Sequence, residues 1–435
     1  MRHLNMWVLL SVLLVAQTAR ADDAAQIQQL HELLLEIKSD YDARILDLET
    51  RLAKAERKTS RAVEIAEDTA VTAGAGQSGP NTFNPAIGSV LVGLYTDPDN
   101  NWESVPGFAS DCELGPGDSG FSLGESEINF KAAIDGLFYG NLTLALEDDA
   151  GDTEVGVEEA WVQTLGLPYG FTARGGRYFS GIGYLNSFHR HADDFSDRPL
   201  PYQAFFGGQY IEDGAQVRWL APTRLFFEVG AELNWGDRFP ATGGGSSADA
   251  WDVFAHLGGD LGYSHSWQVG MSYLSFDNND RSAGEDEADT FSGDSDLVGI
   301  DFVWKWAPNG NSSVRNFKLQ GEYFHREEDG DFGGLDYDGD QDGWYLQGVW
   351  QFAPRWRVGY RHDQMDSDNG DLLVGTVLED PDHTPQRDSV MFDWSASEYS
   401  RIRLQYTYDQ VESNSDNQLT LQYIMSLGAH GAHQF

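Results

Sequence analysis

The chain has 435 residues and a formal net charge of −42, from 70 Asp and Glu against 28 Lys and Arg. This balance argues against a nucleic-acid-binding protein, because phosphate neutralisation requires clustered cations. Aromatic residues make up 13% of the chain and glycine contributes 48 residues, a composition that favours many strands over helices.

Residues 1–21 predict a secretory signal peptide. The apolar stretch 7–16 follows Arg2 and His3 and is too short to span a bilayer as a helix. An A-x-A pattern ends at Ala21, where we expect cleavage. No later window reaches about 18 uninterrupted apolar residues, which leaves a periplasmic protein, an extracellular protein or an outer-membrane barrel.

Residues 22–70 predict an α-helical coiled coil in the periplasm. Apolar residues recur at spacings of three and four in two heptad seams, which join through a stutter at Ile37, Tyr41 and Ile45. The alternative is one amphipathic helix packed on a globular body, but about six heptads exceed most globular helices. A lone rod would expose its apolar stripe, so we expect self-association as a homotrimer. Residues 71–82, rich in small and polar residues, predict a linker.

Residues 83–435 predict an all-β transmembrane barrel of about 16 antiparallel strands. Apolar and polar residues alternate most clearly where Val298, Ile300 and Phe302 oppose Asp301 and Lys305. Short connections alternate with longer acidic loops, as in bacterial barrels with periplasmic turns and outside loops. The acidic loops include 149–154, 278–296 and 329–342. The predicted strands are 86–97, 119–134, 137–148, 155–165, 170–181, 209–221, 224–235, 251–262, 267–277, 297–307, 317–328, 343–353, 356–366, 388–397, 400–410 and 417–434.

The last predicted strand is apolar on one face and the chain ends on Phe435. This ending resembles that of Gram-negative outer-membrane barrels, which implies that Phe435 is read by the barrel-assembly machinery. The stretches 83–95 (FNPAIGSVLVGLY) and 176–210 (GRYFSGIGYLNSFHRHADDFSDRPLPYQAFFGGQY) resemble an outer-membrane family sometimes labelled zinc-regulated TonB-dependent receptors. A receptor of that type has a plug and 22 strands, whereas this chain offers a rod and about sixteen.

The longest predicted loop, 182–208, is the third, and in general porins the third loop folds into the lumen and narrows it. Its charged residues are expected to face inward-pointing arginines, because crossed charges at a constriction create a transverse field. Arg355 and Arg401 open their strands, so we expect them at the periplasmic rim. The predicted constriction residues are Asp193, Asp194, Asp197, Arg190, Arg198, Arg218, Arg357, Arg361 and Arg403.

Two stretches suggest metal ligands. His189 and His191, followed by Asp193 and Asp194, could bind Zn²⁺ or another divalent metal. A second stretch places oxygen ligands at every other residue, as calcium loops do, although Val349 stands where an EF-hand requires Glu. Those residues are Asp336, Asp338, Asp340 and Asp342. No cofactor is required, but Ca²⁺ or Mg²⁺ could bridge this loop to lipopolysaccharide; the alternative is a solvated acidic loop.

No nucleophile motif is present, so an enzyme is not expected. The sequence predicts an outer-membrane porin, a water-filled channel for small hydrophilic or charged solutes. One alternative is a substrate-selective uptake barrel for a metal chelate or siderophore, and another is an envelope tether to peptidoglycan through the coiled coil. Outer-membrane lipid and lipopolysaccharide are the expected partners, with no nucleic acid.

Overall fold

The computed structural model describes residues 85–99, 102, 104–109, 115, 119–149, 152–243, 248–282, 290–370, 373 and 375–428. The predicted signal peptide, coiled coil and linker, as well as Phe435, lie outside these residues. In the described part of the chain, no helix is long and apolar enough to cross a bilayer.

Sixteen antiparallel strands form one closed barrel, in which β1 pairs with β16. The predicted number of strands is therefore confirmed. The described residues also contain one short α-helix, α1 (Leu200–Phe206). The strands are β1 Ala86–Pro98, β2 Gly120–Ala133, β3 Phe138–Asp149, β4 Asp152–Thr164, β5 Phe171–Phe179, β6 Ile211–Leu220, β7 Phe226–Asn234, β8 Ala250–Leu261, β9 His265–Ser282, β10 Thr290–Trp306, β11 Asn316–Phe332, β12 Leu335–Ala353, β13 Trp356–Asp368, β14 Gln386–Ser397, β15 Ser400–Gln410 and β16 Asp416–Gly428.

Alternation along the strands separates an apolar outer face from a polar inner face. In β15, Leu404 and Tyr406 are exposed on the outside, whereas Arg403 and Gln405 are buried inside. Closure satisfies the backbone hydrogen bonds of both edge strands, which a sheet with a lipid-facing side requires. The outer band is the surface expected of a barrel surrounded by lipid.

Strands β9 to β12 are longer than predicted, and most of the predicted loops 278–296 and 329–342 belong to them. β11 and β12 meet in a tight turn at Gly333 and Gly334, whose φ angles are 59° and 87°. Glycine adopts such positive φ angles without the steric cost that a Cβ imposes. The loop prediction was wrong because it followed the density of acidic residues, whereas the period-two pattern continues through them. The predicted loop 149–154 is likewise a hairpin, in which Asp149 pairs with Asp152.

The segment between β5 and β6, residues 180–210, folds into the lumen, and we call it the inner loop. It contains α1, and its apolar side chains join a buried cluster with residues of the wall. This cluster includes Trp102, Val105, Phe108, Leu185, Leu200, Tyr202, Phe205, Phe206, Phe324, Tyr345 and Met365. The inner loop is thus packed in the barrel like part of a protein core.

Candidate functional site

The start of the inner loop is anchored by Glu322 of β11. The buried Glu322 carboxylate accepts hydrogen bonds from the backbone N–H groups of Tyr184 (2.9 Å) and Leu185 (3.0 Å). It also accepts hydrogen bonds from the hydroxyl groups of Tyr202 (2.9 Å) and Tyr345 (2.5 Å). Four donors satisfy a carboxylate that would otherwise be costly to bury, and they fix the loop against the wall.

Asp194 connects the inner loop to two strands. Its carboxylate pairs with Lys318 of β11 and with Arg357 of β13, whose Nη1 lies 2.7 Å from Oδ1. Arg357 also donates from Nε to Asp393 of β14, at 3.0 Å. Burial by itself raises the pKa of Asp194, but the charges of Lys318 and Arg357 outweigh burial and hold that pKa well below its usual range.

Asp197 forms the next connection along the wall. Its Oδ2 lies 2.9 Å from Nη2 of Arg361 on β13 and 2.9 Å from Nη2 of Arg387 on β14. Both guanidinium groups also pair with the buried carboxylate of Asp363, at 3.0 Å and 3.2 Å. Burial raises the pKa of Asp197, but the two guanidinium groups outweigh it and lower that pKa to about 2.

Asp193 pairs within the inner loop. Its Oδ2 lies 2.7 Å from Nε of Arg198, and its backbone oxygen accepts a hydrogen bond from Arg403 of β15 at 2.5 Å. Burial, together with the neighbouring Asp194, raises the pKa of Asp193 to about 6. The Asp193 carboxylate therefore titrates closer to neutrality than the other two loop aspartates.

Asp193 lines two cavities. The first is lined by the cations Lys305, Lys318, Arg357 and Arg401, with Asp193 and Asp194. The second is lined by Arg190, Asp193, Ser196, Asp197, Arg198 and Gln203. In the first cavity, Nη1 of Arg401 is buried and has no hydrogen-bond partner among the described residues. Positive charge therefore outnumbers negative charge around that cavity.

The inner loop also meets glutamates, which lie on β2 and β4. Arg190 Nε lies 3.0 Å from Glu125 of β2, and His191 Nδ1 lies 2.7 Å from Glu127 of the same strand. His189 lies between Glu127 of β2 and two neighbouring glutamates of β4, Glu158 and Glu159. We call these glutamates the acidic wall, and the inward cations Lys318, Arg357, Arg361, Arg387 and Arg403 the basic wall.

The structure brings most of the predicted constriction residues together. The three loop aspartates gather beside the basic wall, with Arg198, Arg357, Arg361 and Arg403, whereas Arg190 faces the acidic wall. Arg218 is not among them, because its partners on the described part of the chain are Glu228, at 3.9 Å, and Gln163, at 3.5 Å. Arg355 lies exposed in a turn, whereas Arg401, next to the turn between β14 and β15, lines both the first cavity and a cavity formed by that turn.

Sequence reasoning missed several residues of the site. Most of them have the inward phase of a predicted strand, and Arg387 directly precedes one, so the alternation of the strands indicates their positions. They are Lys318, Glu322, Asp363, Arg387 and Asp393, with Glu127 on the acidic wall. The phase does not identify the pair Glu158 and Glu159. Glu158 and Glu159 are adjacent and both buried, an exception to alternation that the sequence alone does not indicate.

Both sets of predicted metal ligands are rearranged in the structure. Asp193 and Asp194 pair with cations, so the carboxylates beside His189 and His191 come from β2 and β4 instead. Asp336, Asp338, Asp340 and Asp342 lie on one outward face of β12, not in a loop. Residues two apart on a strand are about 6.5 Å apart, so these four carboxylates cannot enclose one ion as a calcium loop does.

No family model matches the chain. An uncharacterized protein of Aquifex aeolicus (strain VF5) is 30% identical over 346 residues, which cover 73% of this chain and 70% of that protein. The outer membrane channel DcaP of Acinetobacter baumannii has a similar structure, with a TM-score of 0.53 and 13% identity over 79% of this chain and 97% of that one. Salmonella typhi OmpF has a TM-score of 0.50 and 12% identity, again over 79% and 97%. These two likenesses show a shared barrel fold.

Proposed function

The chain belongs to the same family as the uncharacterized Aquifex aeolicus protein, and we propose that it is an outer-membrane porin for small hydrophilic or charged solutes. Its closed sixteen-stranded barrel with an apolar outer face is suited to lipid on the outside. Barrels of this size are wide enough for an aqueous passage, and the solved structures it resembles include an outer membrane channel.

The arrangement of charge around the inner loop carries the proposal. The basic wall lies on β11 and β13 to β15, and the acidic wall lies on β2 and β4. A solute that passes between them would experience a transverse field, which orders dipolar and charged molecules at a constriction. The excess of cations around the cavity at Lys305 and Arg401 favours anions at this point.

The segments outside the described residues complete the proposal. We expect export by the signal peptide, insertion by the barrel-assembly machinery through Phe435, and a homotrimer held together by a periplasmic coiled coil. Outer-membrane lipid and lipopolysaccharide would surround the barrel, and Ca²⁺ or Mg²⁺ could bridge its acidic exterior to lipopolysaccharide. Deletion of residues 22–70 tests the tether hypothesis: unchanged trimers and unchanged envelope integrity would eliminate a connection to peptidoglycan.

Planar-bilayer recording on the purified, folded protein tests the channel directly. We expect discrete conductance steps that grow in proportion to salt concentration and are not blocked by one particular ligand. Absence of steps from protein whose barrel is folded, as judged by its heat-dependent migration on a gel, would contradict the proposal.

A second candidate is a substrate-selective uptake barrel for a metal chelate or siderophore. The observation that favours it is the buried cluster of the inner loop, since Phe205, Phe206 and Phe324 occupy lumen that an open porin leaves to water. Tight, saturable block of the conductance by a metal complex would support this candidate over free diffusion.

A further inference from the structure

We propose that His189, Glu127 and Glu158 form a binding site for a divalent transition-metal ion of the Zn²⁺ type. One potential ligand atom from each residue lies within 4.8 Å of the other two. Nδ1 of His189 is 3.2 Å from Oε1 of Glu127 and 3.3 Å from Oε2 of Glu158. Nitrogen and oxygen ligands at about 2.0–2.2 Å from a tetrahedral Zn²⁺ lie about 3.3–3.5 Å apart, which these separations approach.

The surroundings of His189 match those of metal-bound imidazoles. Its second nitrogen, Nε2, lies 3.4 Å from Oε2 of Glu159. The Glu159 carboxylate is held in turn by Asn141 Nδ2, at 3.0 Å, and by Trp161 Nε1, at 2.8 Å. A ligating histidine almost always donates its other N–H group to such an oriented acceptor. His191 Nδ1 lies 2.7 Å from the same Oε1 atom of Glu127 and holds that carboxylate in place.

Two irregularities of the sheet aim the glutamates at His189. In β4, Thr143 pairs with Glu159 and Leu144 pairs with Val157, so Glu158 is an extra residue in a β-bulge. The bulge turns both glutamates towards the lumen, although adjacent residues of a regular strand point to opposite faces. Bulges are over-represented next to functional sites because they redirect a side chain in this way.

A second bulge lies in β2. Its partner β1 advances from Val90 to Val92 while β2 moves from Glu127 to Gly124. Glu125 and Glu127 both reach the inner loop from this irregular stretch, through Arg190 and His191 respectively. The acidic wall is therefore built by two strands that both depart from regular pairing where they face His189.

The charge of the acidic wall favours a cation. The side chains of Glu125, Glu127, Glu158 and Glu159 are 10%, 3%, 6% and 9% exposed. Among the described residues, Arg190 is the one arginine or lysine within 4 Å of any of these carboxylates. The imidazoles of His189 and His191 also face these carboxylates, but they supply positive charge only when protonated. Buried carboxylates are costly unless a counter-charge lies among them. A divalent ion would supply it and would join the inner loop to β2 and β4.

The donor set also selects the class of ion. One imidazole nitrogen with two carboxylate oxygens suits Zn²⁺ and similar ions such as Co²⁺, whereas Ca²⁺ requires six to eight oxygen ligands. His189 is 20% exposed, so an ion can reach it from the lumen. Three protein ligands leave one tetrahedral position for water or for a passing solute.

Isothermal titration of the folded, EDTA-treated full-length protein with ZnCl₂ tests the site. We expect about one tight equivalent per chain and at least a tenfold weaker affinity in Glu158→Gln and His189→Gln. The matched controls are His325→Gln and Asp340→Asn, which alter a second group of potential ligands on the outer surface, formed by His325, Glu327 and Asp340. Neither control should change the tight equivalent.

Visible absorption of bound Co²⁺ gives a second readout, since a tetrahedral site has an intense spectrum that Glu158→Gln should abolish. The inference is overturned if folded wild-type protein binds no Zn²⁺, which is the result expected if a proton on His189 is the sole counter-charge. It is also overturned if binding survives both site variants, which would indicate a surface site. Conductance measured on the same samples keeps this result separate from the channel proposal, because a conducting barrel without the tight equivalent contradicts the metal site alone.

Discussion

The basic wall and the acidic wall carry opposite charges. They also differ in how many of their charged groups are paired with charged groups of the inner loop. On the basic wall, the loop supplies carboxylates, and Asp194 and Asp197 each pair with two wall cations. On the acidic wall, the loop supplies His189, Arg190 and His191 against four glutamates. Buried ion pairs with additional hydrogen bonds offset much of their desolvation cost, whereas unmatched buried charges do not. The first contact is therefore a structural anchor, and the second is a place for a further cation.

The largest effect is expected from breaking the anchor at Asp194. Asp194→Ala leaves Lys318 and Arg357 without their shared partner, and loss of one member of a buried pair costs about 3–5 kcal/mol. We expect the inner loop to leave the wall, so that limited proteolysis cuts it and the conductance increases. The control is Asp340→Ala on the outer face of β12, which should leave both unchanged. If the inner loop of Asp194→Ala resists proteolysis and the conductance is normal, the contact with the basic wall is not a structural anchor.

A smaller but clear effect is expected on ion selectivity. Arg401→Gln and Lys305→Gln each remove a cation from the cavity beneath the inner loop. A charge about 4 Å from a permeating ion contributes about 1 kcal/mol in water, so each variant should lower the anion-to-cation permeability ratio several-fold. Reversal potentials in a salt gradient measure this ratio. Arg355→Gln, in an exposed turn, is the matched control, and an equal change in that variant would contradict the assignment.

Titration of Asp193 predicts a pH dependence of selectivity. Its pKa is raised from 3.8 to about 6, so the carboxylate loses its charge as the pH falls through about 6. Asp194 and Asp197 remain ionised there, because their pKa values are lowered. We expect the anion-to-cation permeability ratio to rise as the pH is lowered from 7.5 to 5. The Asp193→Asn variant should have, at every pH in this range, the ratio that the wild type shows at pH 5.

The same shift has a consequence for stability. A carboxyl group with a raised pKa in the folded state favours folding most at low pH, and its contribution is lost as the pH rises through the folded pKa. The inner loop should therefore resist proteolysis better near pH 5 than near pH 7.5, and Asp193→Asn should reduce this difference. A wild-type loop that becomes more resistant as the pH rises would contradict this sign.

The smallest effect is expected from Arg218→Gln. Arg218 is 28% exposed and lies 3.9 Å from Glu228, away from the aspartates of the inner loop. Partly exposed pairs of this kind contribute about 0–1 kcal/mol. Selectivity and loop protection should stay close to wild type, and a shift as large as that of Arg401→Gln would mean that the constriction extends to β6.

Much of the barrel could be predicted from the sequence because a strand with one polar and one apolar face has alternating polar and apolar residues. Polar residues inward and apolar residues outward give a period of two, and Ile402 to Tyr408 show it without interruption. The same signature was available for the inward residues Lys318 and Asp393. The acidic hairpin of β11 and β12 has the sequence character of a loop because its outward residues are charged where the strands extend past the apolar band.

The candidate site was only partly predictable because pairing across the lumen depends on distances that no local pattern contains. The aspartates of the inner loop and the arginines of the wall were recognised, but which cation meets which carboxylate depends on how the loop folds back. The sequence suggests Asp193 and Asp194, which lie close to His189 in the chain, as its partners. In the structure they are Glu127 and Glu158, which lie 62 and 31 residues earlier in the chain.

The sequence alone determined the sixteen strands, their inward and outward faces and the loop between β5 and β6, since each follows from local periodicity and composition. The tertiary structure alone decided that the inner loop lies between a basic and an acidic wall, and that two bulges turn adjacent glutamates towards one histidine. The physical reason is the closure of the barrel. It brings strands that are distant in the chain, such as β2 and β15, around one lumen, where one loop can contact the charged side chains of both.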